Sequence, residues 1–291
     1  MSSLLEYKFF ALRKIASLKS LRVPWTIWKP IVERALKPEL TGQKIFDLGE
    51  ELSVLFQKNK APGRDQSTLS IGGTAWECLN VWYLNLLFWG TPIVAVRTNS
   101  TTVPECLRNA LTVTHSSTAT NTESDISIFN IPDPNLLKSG KTRDLDTHLR
   151  TRINRVHFVN LQCKTNWNDN AQIPMLWDLI YNARSFKIPN VVVGANGLTP
   201  NSFASFSYAF STVPTVKVEK FKVDSLAVLR VKNLSGGNYW GHASKRGIAS
   251  CINNLPGNHF GSEYRGGVIN QLDDALRTDA SFIDNFTNLD F

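Results

Sequence analysis

The strongest restriction on the fold comes from an apolar run, GGTAWECLNVWYLNLLFWG, at residues 72–90. Glycines bound it at both ends, Thr74 is suited to cap a helix, and apolar side chains fall on nearly every face of that helix. The run is shorter than the roughly 20 residues of a membrane span, and it contains Glu77, Asn80 and Asn85. We therefore expect a helix that is covered on all sides by the rest of the protein. Each polar residue on such a helix should have a structural or functional role.

Composition indicates a globular protein. The chain has 291 residues, of which 42% are hydrophobic, so it can build one large domain or two small ones. Its formal net charge of +8 suits a polyanionic partner such as nucleic acid. Charged residues interrupt the apolar residues near the amino terminus, and the cysteines have no zinc-site spacing. We expect a soluble, cytoplasmic protein without a membrane segment.

Periodicity predicts the other elements. Residues 1–65 are expected to be helical, because apolar residues recur at mixed spacings of three and four up to about residue 60. The segment from Asn99 to Ser124 is predicted to be a loop with a short helix beginning near Pro104. Strands are predicted at 91–98, 125–133, 156–164 and 189–197, with a helix at 170–186.

The carboxyl-terminal part, 201–291, is predicted to be rich in β-structure. Its β-like runs are 202–210, 215–223 and 225–231, and they precede a helical tail from about Ser262 to Ala275. Residues 66–200, between this part and the helical amino-terminal region, are expected to form an α/β core. We expect the carboxyl-terminal part to be integrated with that core.

The third predicted strand, VHFVNLQCK, has an unusual face. Side chains alternate along a strand, so Asn160, Gln162 and Lys164 share one face with the apolar Val156 and Phe158. A polar end on an otherwise apolar face predicts a functional site. Asn160 itself is interpreted as a turn residue.

Three elements could bring a set of chemically useful groups together. Asp125 begins one strand, Gln162 and Lys164 end the next, and Glu77 lies on the apolar helix. A hard divalent cation takes oxygen ligands, which Asp125, the Gln162 amide and the Cys163 main-chain carbonyl can supply. Lys164 could hold an attacking water and stabilise charge on a phosphate.

The order helix, three strands, helix, strand, with SDISIFN followed by NLQCK, resembles the PD-(D/E)XK nuclease superfamily. The resemblance covers roughly residues 70–195 and implies a restriction-endonuclease-like core, a mixed central sheet flanked by helices. It implies Mg²⁺ as cofactor, with Asp125, Gln162 and Glu77 around the metal and Lys164 positioning the nucleophile. It also implies double-stranded DNA as substrate and, for a type II restriction enzyme, a homodimer with a cognate DNA methyltransferase encoded nearby.

The sequence departs from the family pattern at two positions. No proline precedes Asp125, and Gln162 stands where an acid is usual. One alternative is therefore a DNA-binding protein of the same fold without catalysis, and another is a repair or phage-defence nuclease acting on structured DNA. Glu77 has a structural alternative, as a buried carboxylate paired with a basic residue such as Arg97.

Contacts to DNA are predicted in the carboxyl-terminal part. Strand-like runs place basic side chains there, and the glycine-rich loop NLSGGNYWGHASKRG combines aromatic, amide and basic groups, although a solvated surface loop would have the same composition. The candidate DNA-binding residues are Lys220, Lys222, Lys232, Asn238, Tyr239, Lys245 and Arg246.

Overall fold

The structure is a computed structural model that describes residues 2–58, 66–121, 124–165, 190–213, 222–234, 239–240 and 249–289. The helices are α1 (Ser3–Ala16), α2 (Lys19–Leu36), α3 (Gly42–Lys58), α4 (Gln66–Leu87), α5 (Glu105–Ala110), α6 (Thr142–Arg150), α7 (Leu226–Leu234), α8 (Leu255–Phe260), α9 (Val268–Thr278) and α10 (Asp284–Thr287). The strands are β1 (Ile93–Arg97), β2 (Thr112–His115), β3 (Thr118–Asn121), β4 (Ile126–Asn130), β5 (His157–Lys164), β6 (Val191–Val193), β7 (Ser205–Thr212) and β8 (Tyr239–Trp240).

Helix α4 lies in the interior, as its apolar sequence predicts, but it begins at Gln66, so Thr74 lies inside the helix and is not its N-cap. It packs against α1, α2 and α3 on one side and against β1 and β5 on the other. Trp82 and Leu84 are completely buried, and Trp82 meets Trp25 of α2 edge to face, with ring centroids 5.1 Å apart. Helices α1 to α3 confirm the predicted helical amino-terminal region as far as Lys58, and they cover α4. Residues 59–65 of that prediction lie outside the described residues.

Two amides on α4 satisfy polar groups in the core. Asn85 accepts a hydrogen bond from the Ala95 amide of β1 at 3.1 Å and donates to the Ala95 carbonyl at 2.7 Å. Asn80 donates to the Trp76 carbonyl of the preceding turn and accepts from the Ser211 hydroxyl of β7. Both side chains are completely buried, so their polar atoms attach α4 to the sheet.

The central sheet is mixed, with strand order β1-β4-β5-β7-β8. Strands β1, β4 and β5 are antiparallel neighbours, whereas β7 runs parallel to β5 and β8 runs parallel to β7. The register aligns Ser127, Asn160 and Tyr208 across three strands. The fold is therefore mixed α/β with a five-stranded central sheet, and it includes strands from beyond residue 200.

The two faces of this sheet pack against different helices. On the α4 face, Ile128, Val159 and Leu161 join the large apolar core that α4 dominates. On the other face, named the α5 face, Phe129 and Phe158 stack with their ring centroids 6.3 Å apart, and residues of α5 and α6 cover them. Alternation along β4 and β5 places Asp125 and Gln162 on the α5 face.

A second, three-stranded sheet has the order β3-β2-β6. Its β2–β3 hairpin lies where the sequence predicts a loop, although the predicted short helix near Pro104 is confirmed as α5. Strand β6 confirms the predicted strand at 189–197, but it pairs with β2 rather than with the central sheet. The Ser/Thr-rich composition of the hairpin is common to loops and to strands, so composition alone does not identify its pairing.

The carboxyl-terminal part is less β-rich than predicted. Residues 205–210 of the run at 202–210 are confirmed as strand, in β7, but the run at 225–231 lies mostly in helix α7. The buried residues Val228 and Val231 are three positions apart, which fits one face of a helix. The described residues after β8 contain helices α8 to α10, and the predicted helical tail overlaps α9. The helix predicted at 170–186 and most of the run at 215–223 lie outside the described residues.

No helix in the described part of the chain has the length and hydropathy needed to cross a membrane.

Candidate functional site

The Asp125 side chain is held at the end of the sheet, immediately before β4. Its Oδ2 atom accepts a hydrogen bond from the Gln162 amide nitrogen at 2.7 Å and another from the Cys163 main-chain amide at 2.7 Å. Its own carbonyl accepts a hydrogen bond from the Thr98 amide at 2.9 Å, which anchors the backbone to the end of β1. The carboxylate is therefore positioned by residues of both neighbouring strands.

The Gln162 side chain bridges Asp125 and Tyr208. It is 1% exposed, with its Nε2 directed to Asp125 and its Oε1 accepting a hydrogen bond from the Tyr208 hydroxyl at 3.2 Å. A hydroxyl can both donate and accept, so Tyr208 can pair with either end of the amide. If the amide turned over, Oε1 would face the Asp125 side, where a cation could be held.

Lys164 ends β5 on the same face as Gln162, and it is half-buried. Its positive charge acts on Asp125 and favours the ionised carboxylate. Cys163, between them, turns its side chain into the α4 face, where burial raises the pKa of the thiol well above its usual value. Its amide points toward Asp125, and in an antiparallel strand the carbonyl of the same residue points to the same side.

The pKa of Asp125 reflects competing effects. Burial raises this pKa to about 7, and the nearby negative charge of Glu77 acts in the same direction. The Cys163 amide, Lys164 and Arg97 oppose that shift. A bound cation would lower the pKa of such a buried carboxyl group, because positive charge nearby favours the ionised carboxylate.

Glu77 lies on α4 and pairs with Arg97 of β1. The Glu77 Oε2 and Arg97 Nε atoms are 2.6 Å apart, and the two side chains are 13% and 33% exposed. The structural alternative for Glu77, a carboxylate paired with Arg97, is therefore confirmed. Its role as a metal ligand remains a prediction.

The oxygen atoms around Asp125 suit Mg²⁺ better than a softer metal. Among the residues that the structure describes, no group of three or more His, Cys, Asp or Glu side chains gathers as a metal cluster. The available set is the Asp125 carboxylate, the Gln162 amide oxygen and the Cys163 carbonyl. Mg²⁺ takes oxygen ligands, keeps several waters and often needs only one or two carboxylates. The set therefore fits this cation once the Gln162 amide is turned.

The predicted DNA-binding residues have different positions. Lys222 and Lys232 are exposed, but Lys232 lies on helix α7 rather than on the predicted strand. Tyr239 was expected on a surface loop, which is wrong, because it is 3% exposed in β8 and packs against Phe210. Four candidates lie outside the described residues: Lys220, Asn238, Lys245 and Arg246.

Sequence reasoning missed several polar residues around Asp125. Asn160 was interpreted as a turn residue, but it is completely buried in the middle of β5. Neither of its side-chain polar atoms has a hydrogen-bond partner among the described residues. Tyr208 was missed because its approach to Gln162 depends on the pairing of β5 with β7. Ser127 could have been found, since alternation from Asp125 places it on the same face.

Comparison with known proteins assigns no family to the chain. No protein-family model matches it, and no curated protein is significantly similar to it.

Proposed function

We propose that the chain is a Mg²⁺-dependent DNA endonuclease with a PD-(D/E)XK-like core, acting as a sequence-specific type II restriction enzyme. The observation that carries the proposal is the position of Asp125 at the head of β4, hydrogen-bonded to Gln162, with Lys164 on the same face of β5. The strand arrangement gives further support, because three antiparallel strands are followed in the sheet by a parallel one.

Each residue has a defined role in this proposal. Bound Mg²⁺ would supply positive charge to the phosphate and lower the pKa of a coordinated water. Asp125, the Gln162 amide oxygen and the Cys163 carbonyl would hold the ion, and the paired Glu77 would add negative charge nearby. Lys164 would orient the attacking water and stabilise negative charge on the phosphate. A cation that the protein holds in position stabilises such charge effectively where little water is present.

The proposed partner is double-stranded DNA. The net charge of +8 favours a polyanion, and the exposed Lys222 and Lys232 could contact its backbone. Cutting both strands with one active site per chain favours a two-fold symmetric homodimer. A DNA methyltransferase encoded nearby would fit a restriction system.

Variants of Asp125 and Lys164 test the reaction. Asp125→Ala and Lys164→Ala should each reduce Mg²⁺-dependent cleavage of unmethylated phage DNA by about 100-fold or more, because each removes a charge from the reacting phosphate's surroundings. DNA binding, measured with Ca²⁺ in place of Mg²⁺, should remain largely intact. Asp47→Ala and Lys58→Ala are matched controls, since both residues are exposed on α3.

Undiminished cutting by either active-site variant would eliminate this mechanism. Branched and mismatched duplexes should be included as substrates. Cleavage confined to those substrates would identify the repair or phage-defence type of nuclease instead.

A DNA-binding protein without catalysis is the second candidate. The neutral Gln162 favours it, because its amide nitrogen already satisfies Asp125 without a cation. This candidate predicts salt-sensitive DNA binding with no nicking of supercoiled plasmid at any Mg²⁺ concentration. Nicking that disappears in Lys164→Ala would exclude it.

A further inference from the structure

A cavity of about 210 Å³ lies on the α5 face, next to the start of β4. Ser124 and Ser127, which flank Asp125 along the chain, contribute to its wall, as do Thr98 at the end of β1 and Arg108 of α5. Its volume is below the range of roughly 300–1,000 Å³ that drug-sized ligands occupy. The cavity therefore suits one chemical group with its immediate surroundings rather than a complete nucleotide.

Hydroxyl groups line the side of the cavity next to Asp125. The Thr98 hydroxyl lies 2.8 Å from the Ser127 oxygen and 3.0 Å from the Ser124 oxygen. Each hydroxyl has one proton to donate, so two hydrogen bonds among three hydroxyls use two of the protons. The third can go to the Ile126 carbonyl, which is 3.4 Å from Ser124, or to a ligand. The wall can therefore donate a hydrogen bond to an oxygen atom in the cavity.

Arg108 supplies the positive charge of the cavity. Its Nε donates to the Val103 carbonyl at 3.3 Å, which holds the side chain along the wall. Among the residues that the structure describes, neither of its Nη atoms donates a hydrogen bond and no carboxylate lies within salt-bridge distance of it. Arg108 is also the one charged residue among the described residues that line this cavity.

The turn that carries Thr98 is held in place by its own hydrogen bonds. Asn99 accepts hydrogen bonds from the Thr101 and Thr102 amides at 2.9 and 3.1 Å. The Val103 amide donates to the Asn99 carbonyl at 3.0 Å. The donors of the cavity are therefore preorganised, which reduces the entropic cost of binding.

We propose that this cavity binds a phosphate group of DNA next to the phosphodiester that is cut. An arginine combined with Ser, Thr and Asn side chains is the usual composition of a phosphate contact. Because Ser124 and Ser127 flank Asp125, a phosphate in the cavity would place the neighbouring part of the DNA strand at Asp125. The proposal rests on the proposed nuclease function for the identity of its ligand.

Salt dependence of DNA binding tests the role of Arg108. A labelled DNA duplex is titrated with the full-length protein in Ca²⁺ at several salt concentrations. Arg108→Gln should lower the affinity by about tenfold at low salt. It should also reduce the slope of log K against log salt by about 0.9, the value of one lost phosphate contact. Arg22→Gln, which removes the same charge from an exposed position on α2, should leave the slope unchanged.

A conservative variant separates loss of contact from loss of fold. Arg108→Lys retains the positive charge but cannot pair through two nitrogens, so the slope should be retained while affinity falls. An unchanged slope in a folded Arg108→Gln variant would overturn the proposal. Duplexes with and without a 5′-phosphate identify the source of the phosphate. An advantage of the phosphorylated end that is lost in Arg108→Gln indicates a terminal phosphate, and equal affinities indicate an internal one.

The outcomes distinguish this proposal from the proposed function. A wild-type protein that binds DNA with a slope dependent on Arg108 but never cuts it supports the phosphate site and refutes the nuclease. A wild-type protein that cuts DNA, with Arg108→Gln equal to it in slope and affinity, refutes the phosphate site alone. Absence of DNA binding by the wild-type protein refutes both.

Discussion

Burial and the proposed metal binding favour opposite protonation states of Asp125. A metal ligand has to be ionised, whereas burial favours the protonated acid and raises the pKa of Asp125 to about 7. The hydrogen bond from the Cys163 amide and the charges of Lys164 and Arg97 reduce that effect without removing it. In the absence of metal, we therefore expect Asp125 to be partly protonated at neutral pH.

The pH dependence of stability follows from this pKa. The folded-state pKa of Asp125, about 7, is higher than the ordinary value of 3.8, so between these pH values the folded protein keeps a proton that the unfolded chain has released. The free energy of unfolding should consequently fall as pH rises from about 4 to 7, by up to about 1.4 kcal/mol per pH unit. Asp125→Asn cannot ionise and should lack this contribution.

Urea denaturation in EDTA across this pH range would measure the difference between wild type and Asp125→Asn. Asp47→Asn, at an exposed position on α3, should follow the wild type. If wild type and Asp125→Asn had the same pH dependence, the raised pKa of Asp125 would not be the cause of the fall in the free energy of unfolding.

Gln162 fits both a metal site and a site without a metal. Its position on β5 agrees with a metal site, but its amide nitrogen faces Asp125 and its oxygen faces Tyr208. Alternation along the strand predicts the face on which Gln162 lies. The orientation of its amide depends on Tyr208, which lies 46 positions further along the chain.

At the scale of elements, the contact between α4 and β1 supports the site. Strand β1 is at the edge of the central sheet, where main-chain groups would lack a partner. Asn85 satisfies both the amide and the carbonyl of Ala95. This contact holds the strand whose far end carries Arg97 and leads to Thr98.

Replacing Asn85 should therefore lower the stability of the protein. Asn85→Leu leaves two buried main-chain groups without a partner, and each is expected to lower the free energy of unfolding by about 1–3 kcal/mol. Urea denaturation measures the loss. Asn233→Leu, on the exposed side of α7, should change stability by no more than about 0.5 kcal/mol. Equal effects of the two substitutions would contradict the role assigned to Asn85.

At the scale of the whole molecule, one large apolar core joins distant parts of the chain. It includes Leu12 of α1, Trp82 of α4 and Phe286 of α10, and the Trp82 indole donates to the Phe286 carbonyl at 2.9 Å. The helical amino-terminal region covers α4, and the sheet includes β7 and β8 from the carboxyl-terminal part. We expect these parts to unfold together.

Removing residues 1–65 tests this expectation. The shortened chain would expose the apolar surface of α4 that α1, α2 and α3 cover in the complete protein. It should lack a cooperative thermal transition in near-ultraviolet circular dichroism, whereas the full chain should show a single one. A sharp transition in residues 66–291 alone would show that the amino-terminal helices are dispensable for folding.

The sequence predicts much of the local structure and part of the candidate site. The periodicity of residues 1–60 indicates helices, and alternation places Gln162 and Lys164 on one face of β5, because these patterns depend on neighbouring residues. Helix α7 was predicted as a strand because a short apolar run fits either state.

Tertiary structure decided the rest. It paired Glu77 with Arg97, placed Tyr208 beside Gln162 and assigned β6 to the second sheet. These arrangements depend on contacts between residues far apart in the chain, whose pairing local periodicity does not encode. The sequence by itself therefore determined which side chains could form a site, and long-range packing decided which of them meet.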